Sequence, residues 1–526
     1  MGRVGVDLTH YPFPSRRTVV LGRRFGVATS QPLAALAGLE AYLRGGSAVD
    51  AALAAAIALT VVEPTSNGIG GDALAIVWDQ KAEGLNSTGR SPLHLPSLSK
   101  LEERSWAAVT VPGAVAAWRA LWERWGRLPF REVFEPAIRY ARDGFPVSPE
   151  VARGWKRAEG IYLGLEGEAY RAFQEVFFPQ GRAPRPGEVV RFPLHAETLE
   201  EIAATRGESL YRGALAEALV RFSEATGGYL SREDLSAHAP EWVVPLSTTY
   251  RGYTVHELPP NTQGVAVLLA LNLLEGFDLR GLPEAERLHV QLEAMKLALS
   301  DTYRHLADPR FMEVFPEAFL DKAYAQERQR LIGERALPWP DPGLKPGGTV
   351  YLAAADEDLM VSFIQSNYMG FGAGILVPGT GIALHNRGAG FTLDAAHPNR
   401  LGPGKRPFHT LIPGFLSLEG RPLGPFGVMG GLMQPQGHVQ VLVHFLDLGH
   451  NPQAALDAPR WQVGPKEVLL EPGFGQALAL ALKDRGHPVR LEAEMGPFGR
   501  GQILLRLGEA LALGTEPRAD GLALAL

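Results

Sequence analysis

Apolar positions along the chain change period several times, and each change marks an element. Over residues 31–62 they predict two helices. Pro32 suits a first helical turn, Gly45-Gly46 stops the first helix, and Ser47 with Asp50 starts the second as a capping box. Ala51 to Leu59 is apolar all round, which predicts a buried helix. A glycine-rich turn at Asn67-Gly-Ile-Gly-Gly-Asp72 leads into a strand from Ala73 to Trp78. Residues 114–220 are largely helical in pattern, with Arg and Glu on the solvated faces. Tyr253 to Glu257 reads as a short strand ending at Pro259-Pro260, and residues 264–307 return to helical spacing.

Residues 337–348 hold four prolines and three glycines, too many for a helix or a central strand, and read as a linker. Beyond it, strands are predicted at Thr349 to Ala355 and Met360 to Gln365. Further strands are expected at Gly427 to Met429, Gln502 to Leu507 and Ala510 to Leu513. The class is therefore mixed α and β. No internal repeat is present.

The chain has 526 residues, enough for three or four units at roughly 100–200 residues per domain, or for one large core. A net charge of −6 and the lack of any long Lys/Arg run argue against nucleic acid as a partner. With no cysteine, disulfides, a Cys nucleophile, thiolate-bound zinc and Fe–S clusters are excluded. The first residues show no apolar signal core, and the longest apolar run, Ala51 to Val62, is too short to span a bilayer. The expectation is a soluble, cytoplasmic protein without a membrane partner.

Most familiar motifs fail. Gly68-Ile-Gly70-Gly-Asp-Ala73 matches a loose dinucleotide pattern, but a helix precedes it and a strand follows, the reverse of what that site needs. There is no GxSxG, HExxH, GxxxxGK[ST] or EF-hand loop. The 14 histidines are scattered, and His438 and His444 have no evident ligand partners, so they read as structural. No metal and no cofactor are expected.

Pro346-Gly347-Gly348-Thr349-Val350-Tyr351 admits two readings. One is a loop running into a strand, with Thr present for its β propensity. The other is an N-terminal nucleophile: the chain is cut before Thr349, and the freed α-amino group becomes the base for the same residue's hydroxyl. Such an amino group has a pKa of about 7.7–8.0, so a modest fraction is neutral at pH 7.

The chain resembles the γ-glutamyltranspeptidase family over nearly its whole length. Matching stretches include Gly45-Gly-Ser-Ala-Val-Asp50, Glu63-Pro-Thr-Ser-Asn-Gly-Ile-Gly-Gly71, Val111-Pro-Gly-Ala-Val115 and Ala141-Arg-Asp-Gly-Phe145. Others are Glu293-Ala-Met-Lys296, Lys405-Arg406-Pro407, Met429-Gly430-Gly431 and Pro517-Arg518-Ala-Asp520-Gly521. Their collinear order is specific and favours the nucleophile reading of Thr349. The resemblance implies an α/β fold of the N-terminal-nucleophile class, an αββα sandwich of two stacked antiparallel sheets flanked by helices. It implies a precursor cleaved between Gly348 and Thr349 into a large subunit, 1–348, and a small one, 349–526. The pieces would stay together as a heterodimer, with a dimer of heterodimers left open.

Roles follow residue by residue. Thr349 corresponds to the nucleophile and base, and Gly430 and Gly431 to the paired glycines of the oxyanion hole. Ser362 falls near the family's hydroxyl that orients the nucleophile. Asn367 falls near its substrate-contacting asparagine, though the stretch before Phe371-Gly372 is one residue longer here. Where the transpeptidases hold the glutamyl amino group with Gln and Asp, this chain has Arg387 and Gly390. The family's two serines become His409 and Thr410, and the arginine that grips the α-carboxylate has Arg90 as its nearest counterpart. A guanidinium in place of acceptors repels an ammonium and attracts a carboxylate.

The expected function is a self-processing amidohydrolase and acyltransferase, a glutathione hydrolase-like enzyme. It would cleave a small-molecule amide, γ-glutamyl or another carboxylate-bearing acyl group, through an acyl ester on Thr349. The alternative is a glutaryl-type acylase or oxamate amidohydrolase without γ-glutamyl preference, as in the divergent branch that this chain resembles. From another class comes an unprocessed small-molecule-binding protein.

Overall fold

Two seven-stranded sheets form the centre of the protein, and strands from both ends of the chain interleave in each. The computed structural model describes residues 10–14, 17–339 and 348–526. The first part of the chain contributes β1 (Val20–Gly22), β2 (Gly26–Thr29), β3 (Asp72–Asp79), β4 (Lys81–Ser87), β5 (Glu241–Val243), β6 (Leu246–Tyr250) and β7 (Tyr253–Glu257). The second part adds β8 (Gly348–Ala355), β9 (Met360–Tyr368), β10 (Gly414–Leu418), β11 (Arg421–Met429), β12 (Arg500–Leu507), β13 (Ala510–Thr515) and β14 (Leu522–Ala525). One sheet runs β14-β2-β8-β9-β3-β4-β5, the other β1-β13-β12-β11-β10-β7-β6. The pairings within both are antiparallel.

The two-residue period of β8 sorts its side chains into separate cores. Tyr351, Ala353 and Ala355 pack between the sheets with Phe415, Met429 and Leu504. Val350, Leu352 and Ala354 face the helices on the outside of the first sheet. A strand buried on both faces reads as a continuous apolar run, as β8 does from Val350 to Ala355.

Helices cover both outer faces, giving the expected α–β–β–α layering. Among those over the first sheet are α1 (Pro32–Leu43), α2 (Ala48–Val62) and α3 (Pro149–Leu163). Those over the second include α4 (Gly264–Leu274), α5 (Glu284–His305) and α6 (Met433–Leu442). The predicted capping box is formed: Ser47 Oγ accepts from Asp50 N, and Asp50 Oδ2 accepts from Ser47 N. Every residue of α2 is buried, as its uniformly apolar surface predicts. Among the described residues, no helix is long and apolar enough to cross a membrane.

Most predicted elements lie within a residue or two of the observed ones. Of the predicted linker at 337–348, residues 340–347 lie outside the described residues. Gly348 itself begins β8 and pairs with Tyr368, so the regular strand starts one residue earlier than the composition indicates.

Candidate active site

Thr349 is fully buried near the start of β8, between β2 and β9. Its Oγ1 donates to Ser366 Oγ at 3.1 Å. Tyr368 N also donates to that oxygen, at 2.7 Å, which holds the serine hydroxyl in place. Gly348 pairs with Tyr368 and Val350 with Gln365, so Ser366 and Asn367 together stand opposite Thr349. This is a β-bulge, a device common beside active sites because it re-aims side chains. It gives the longer stretch before Phe371 a place in the sheet. Tyr368 closes the bulge with φ of +77°, a strained value for an aromatic residue.

The bulge corrects the expectation for Ser362. That residue pairs with Ala353, and its hydroxyl lies 2.9 Å from the Tyr351 hydroxyl. Ala353 is four steps along the strand from Thr349, about 13 Å at the usual rise. The hydroxyl that reaches Thr349 belongs to Ser366.

Gly430 and Gly431 follow β11 directly, with φ of +136° and +62°. Their carbonyls accept from Met433 N and Gln434 N, which starts α6. A Cβ on Gly430 would lie 3.0 Å from Gly499 Cα, so the close approach favours glycine here as well. The Gly431 carbonyl also accepts from Gln263 Nε2 at 2.9 Å, and the same amide nitrogen donates to Thr410 O at 2.8 Å. With both carbonyls turned to these partners, the N–H groups are the polar groups this turn has left to offer a developing oxyanion.

Arg387 is wholly buried. Its guanidinium lies 4.0 Å from the centre of the Tyr368 ring, and Nη1 donates to Thr410 Oγ1 at 2.8 Å. Nε and Nη2 have no hydrogen-bond partner among the described residues. Burial pushes the guanidinium down to about 10, so it remains charged at neutral pH. Asn367 is equally buried, and neither its Oδ1 nor its Nδ2 has a partner among the described residues. Its backbone is fixed, with N donating to Ser66 O at 3.2 Å and O accepting from Asn386 N at 3.2 Å. Buried polar groups are nearly always paired, and an unpaired one costs about 1–3 kcal/mol, more when charged. Two such side chains beside one bulge mark a place for a ligand's polar groups.

Position 390 carries no side-chain acceptor for an ammonium group, and its carbonyl already accepts from Asn399 Nδ2. A Cβ on Gly390 would lie 2.8 Å from the Phe408 carbonyl oxygen, so a side chain there would force the backbone to move.

Asp72, at the start of β3, anchors the floor of the site. Its Oδ2 lies 2.9 Å from His409 Nε2 and 3.4 Å from His385 Nδ1, and its Oδ1 accepts from Gly89 N at 3.1 Å. Burial pushes its carboxyl up, but His385, His409 and Arg387 outweigh burial and hold it at about 2. His409 Nδ1 accepts from Leu411 N at 3.3 Å, which assigns its proton to Nε2, donating to Asp72. Burial first, then Arg387, pushes His409 down to about 3, so the ring is neutral. His409 thus positions Thr410 and, through it, Arg387.

Arg90 is not part of this cluster. Its guanidinium pairs with Asp308 at 2.9 Å and with Glu241 at 3.2 Å, because the irregular segment after β4 carries it to those acids. The structural reading of the lone histidines fits the geometry, with one partner from a distant segment and one only six residues along the chain. His438 Nδ1 lies 2.7 Å from Glu257 Oε1, and His444 Nδ1 lies 3.1 Å from His450 Nδ1.

One buried group, His289, Glu293 and His487, has the donor types and proximity of a metal site. Lys296 Nζ stands 2.5 Å from Glu293 Oε1 and fills the role that a cation would have there. Spacing along the chain hid this group, since His487 is remote from the other two in sequence. Asp72, Gln263 and Ser366 also reach the site through contacts that spacing along the chain does not announce. Asp72 directly follows the matched stretch that ends at Gly71, which is its one sequence signal.

Residues 34–526 match the sequence model described as Gamma-glutamyltranspeptidase. The cephalosporin acylase from Bacillus halodurans, known as a crystal structure, superposes with a TM-score of 0.94 at 51% identity, covering 99% of each chain. The glutathione hydrolase-like YwrD proenzyme of Bacillus subtilis is 36% identical across 96% of this chain and 99% of its own. The oxamate amidohydrolase proenzyme of Klebsiella pneumoniae is 34% identical across 93% of this chain and 96% of its own. The fold is accordingly the αββα sandwich of N-terminal-nucleophile hydrolases, and the chain belongs to the γ-glutamyltranspeptidase family of hydrolases and acyltransferases.

Proposed function

We propose that the chain is a proenzyme that cuts itself between Gly348 and Thr349 and then hydrolyses or transfers an acyl group bearing a carboxylate but no α-amino substituent. In the first step Thr349 Oγ attacks the Gly348 carbonyl carbon. The C–N bond to Thr349 breaks as an ester forms, and the Oγ proton passes to the departing nitrogen. Water then hydrolyses the ester, leaving a carboxylate on Gly348 and a free α-amino group on Thr349. The names of the B. subtilis and K. pneumoniae relatives, both called proenzymes, support this reading.

The pieces 1–348 and 349–526 stay together in this proposal. β8 is hydrogen-bonded to β2 on one side and to β9 on the other, so a cut at its first residue leaves the middle of the sheet intact. The new α-amino group takes the hydroxyl proton of Thr349, Ser366 orients that hydroxyl, and Oγ attacks the substrate carbonyl. The backbone N–H groups of Gly430 and Gly431 hold the oxyanion, at about 2.7–4 kcal/mol per donor. The amide C–N bond then breaks, the proton goes to the leaving amine, and water or another amine releases the acyl group from Thr349.

The observation that carries the acyl preference is the unpaired Nε and Nη2 edge of buried Arg387. A planar guanidinium edge matches a carboxylate with two parallel hydrogen bonds. Thr410 and Tyr368 hold that edge in place, Asn367 offers further polar atoms, and Gly390 supplies no carboxylate to balance an ammonium group. The test is a comparison of glutaryl and γ-glutamyl p-nitroanilides. The glutaryl compound should have the higher kcat/KM, and a clear γ-glutamyl preference would overturn the assignment of Arg387.

A further inference from the structure

Glu293 and Lys296 belong to a stretch matched by the family, yet the proposed chemistry makes no use of them. They lie one turn apart on α5, with side chains 0% and 7% exposed, and Lys296 Nζ stands 2.5 Å from Glu293 Oε1. A buried ion pair seldom adds stability over apolar residues of the same shape, so what else the two charges bind becomes the question. Both bind one residue. Glu293 Oε2 accepts from Leu337 N at 2.9 Å, and Lys296 Nζ donates to Leu337 O at 2.7 Å.

Residues 332–339 form no helix or strand, so their backbone polar groups need partners from elsewhere. They find them on two sides. From α5, His289 Nε2 donates to Gly333 O at 2.8 Å, besides the two bonds at Leu337. From the turn after α7 (Gly475–Asp484), Arg485 O accepts from Ala336 N at 2.8 Å, and Arg485 Nη1 donates to Glu334 O at 3.1 Å. His487 Nε2, just beyond that turn, lies 2.7 Å from His289 Nδ1 and steadies its ring. Ile332, Leu337 and Trp339 also pack against the core of the second sheet and its helices.

The two sides of this clamp fall in different pieces of the proposed proenzyme. α5 and residues 332–339 precede Gly348, whereas Arg485 and His487 follow it. None of the bonds involves Gly348 or Thr349, so a cut between those two residues leaves every one of them in place.

We infer that Glu293 and Lys296, with His289, anchor the C-terminal end of the large piece, and that Arg485 ties this end to the small piece. Cleavage then separates Gly348 from Thr349 without releasing residues 333–337. The role after the cut rests on the reading of Thr349 given above, but the clamp in the uncut chain does not.

Trypsin tests the clamp at one bond. The Arg335 side chain is exposed, but the Arg335–Ala336 bond lies between Glu334 O and Ala336 N, both held by Arg485. The next basic residue, Lys345, precedes Pro346 and resists trypsin. A protease needs the bond locally opened, and where opening is fast the rate of cutting follows the open population. The wild-type protein in native buffer should therefore be cut only slowly at Arg335. Glu293→Gln combined with Lys296→Met removes both charges and keeps the shape of the helix face, so the urea midpoint should stay near that of the wild type. Cutting at Arg335 should still speed up by about ten- to a hundredfold, read by mass spectrometry as loss of residues 336–348 from the large fragment. Arg485→Gln, a change at the surface, should speed it up severalfold and decides the matter if the double variant does not fold.

The rates are measured on the processed enzyme and on the uncut Thr349→Ala chain, and both should show the same protection. Rapid cutting of the wild-type protein at Arg335 overturns the inference, as does a rate that neither variant changes. Protection of the Thr349→Ala chain that vanishes on processing overturns the retention after the cut. A wild-type chain that never divides at Gly348 defeats the processing reading instead, and the clamp is then judged by the same rates on the intact chain.

Discussion

Gln263 Nε2 donates to both Thr410 O and Gly431 O, at 2.8 and 2.9 Å, and so ties the segment that holds Arg387 to the glycine turn. In the proposed mechanism this amide sets the spacing between the carboxylate partner, Arg387, and the oxyanion donors. Gln263→Leu removes both bonds and leaves the Gly431 carbonyl with only its bond from Gln434 N. Each net bond is worth about 1 kcal/mol, and small misplacements of reacting atoms are amplified in rate. Turnover of the preferred anilide should fall by about ten- to a hundredfold while the protein stays folded, as steady-state kinetics and circular dichroism can show.

Replacing Arg387 should separate charge recognition from chemistry. Arg387→Met deletes the guanidinium but keeps much of the apolar stem over Tyr368. For a glutaryl anilide, kcat/KM should drop by at least about a hundredfold, in line with the 1.5–3 kcal/mol of a bond to a charged group, made twice. For an uncharged butyryl anilide of the same aniline the loss should be much smaller. Equal losses on both substrates would show that the residue acts only through packing.

What could be read along the chain and what could not differ by the range of the interaction involved. Ser47 and Asp50 are three residues apart, and their capping box forms as the local pattern demands. The alternation in Thr349 to Ala355 likewise shows a strand, because a period of two needs no knowledge of the partner. Thr349 itself is ambiguous in spacing alone, and only the order of matched family stretches singles it out. Ser366 was hidden by the bulge, since register against β8 decides which hydroxyl meets Thr349. Asp72 and His409 are 337 residues apart, and Gln263 meets Gly431 across 168, so no local pattern announces either contact.

Acid should destabilise the protein well above the pKa of ordinary carboxylates. His409 is pushed from its usual 6.5 down to about 3, and His195 and His238 down to about 4, in each case chiefly by burial. Below pH 6.5 the unfolded chain binds protons at these rings and the folded protein does not. Stability is therefore complete above about 6.5 and falls as pH drops toward 4, by about 1.4 kcal/mol per unit for each such ring. Asp72, held at about 2 against 3.8, adds its loss only below about pH 4. The melting temperature should fall steadily between pH 7 and pH 4, and the fall should be shallower in His195→Phe. A flat profile over that window would mean that these rings take up protons in the folded state.

Self-cleavage should leave a simple signature on a denaturing gel. The wild-type chain should give bands of about 38 and 19 kDa, from the share of the mass on each side of Gly348. Thr349→Ala should remain one inactive chain, and sequencing of the smaller wild-type fragment should begin at Thr349. A Thr349→Ala chain that still divides there would mean that another group or another protein makes the cut.

The two serines of β9 offer the sharpest distinction, because resemblance points to one and geometry to the other. Ser366→Ala removes the oxygen that accepts from Thr349 Oγ1 and also loses the bond from Tyr368 N, so the bulge loosens where the nucleophile must be aimed. Processing of the precursor and kcat of the mature enzyme should both slow by about ten- to a hundredfold, within the range for loss of one well-placed catalytic contact. Ser362→Ala instead orphans the Tyr351 hydroxyl between the sheets. That should lower stability by about 1–3 kcal/mol, seen as an earlier urea midpoint, with kcat near that of the wild type. Should Ser362→Ala block processing while Ser366→Ala processes normally, the register of β9 against β8 would have to shift in the mature enzyme.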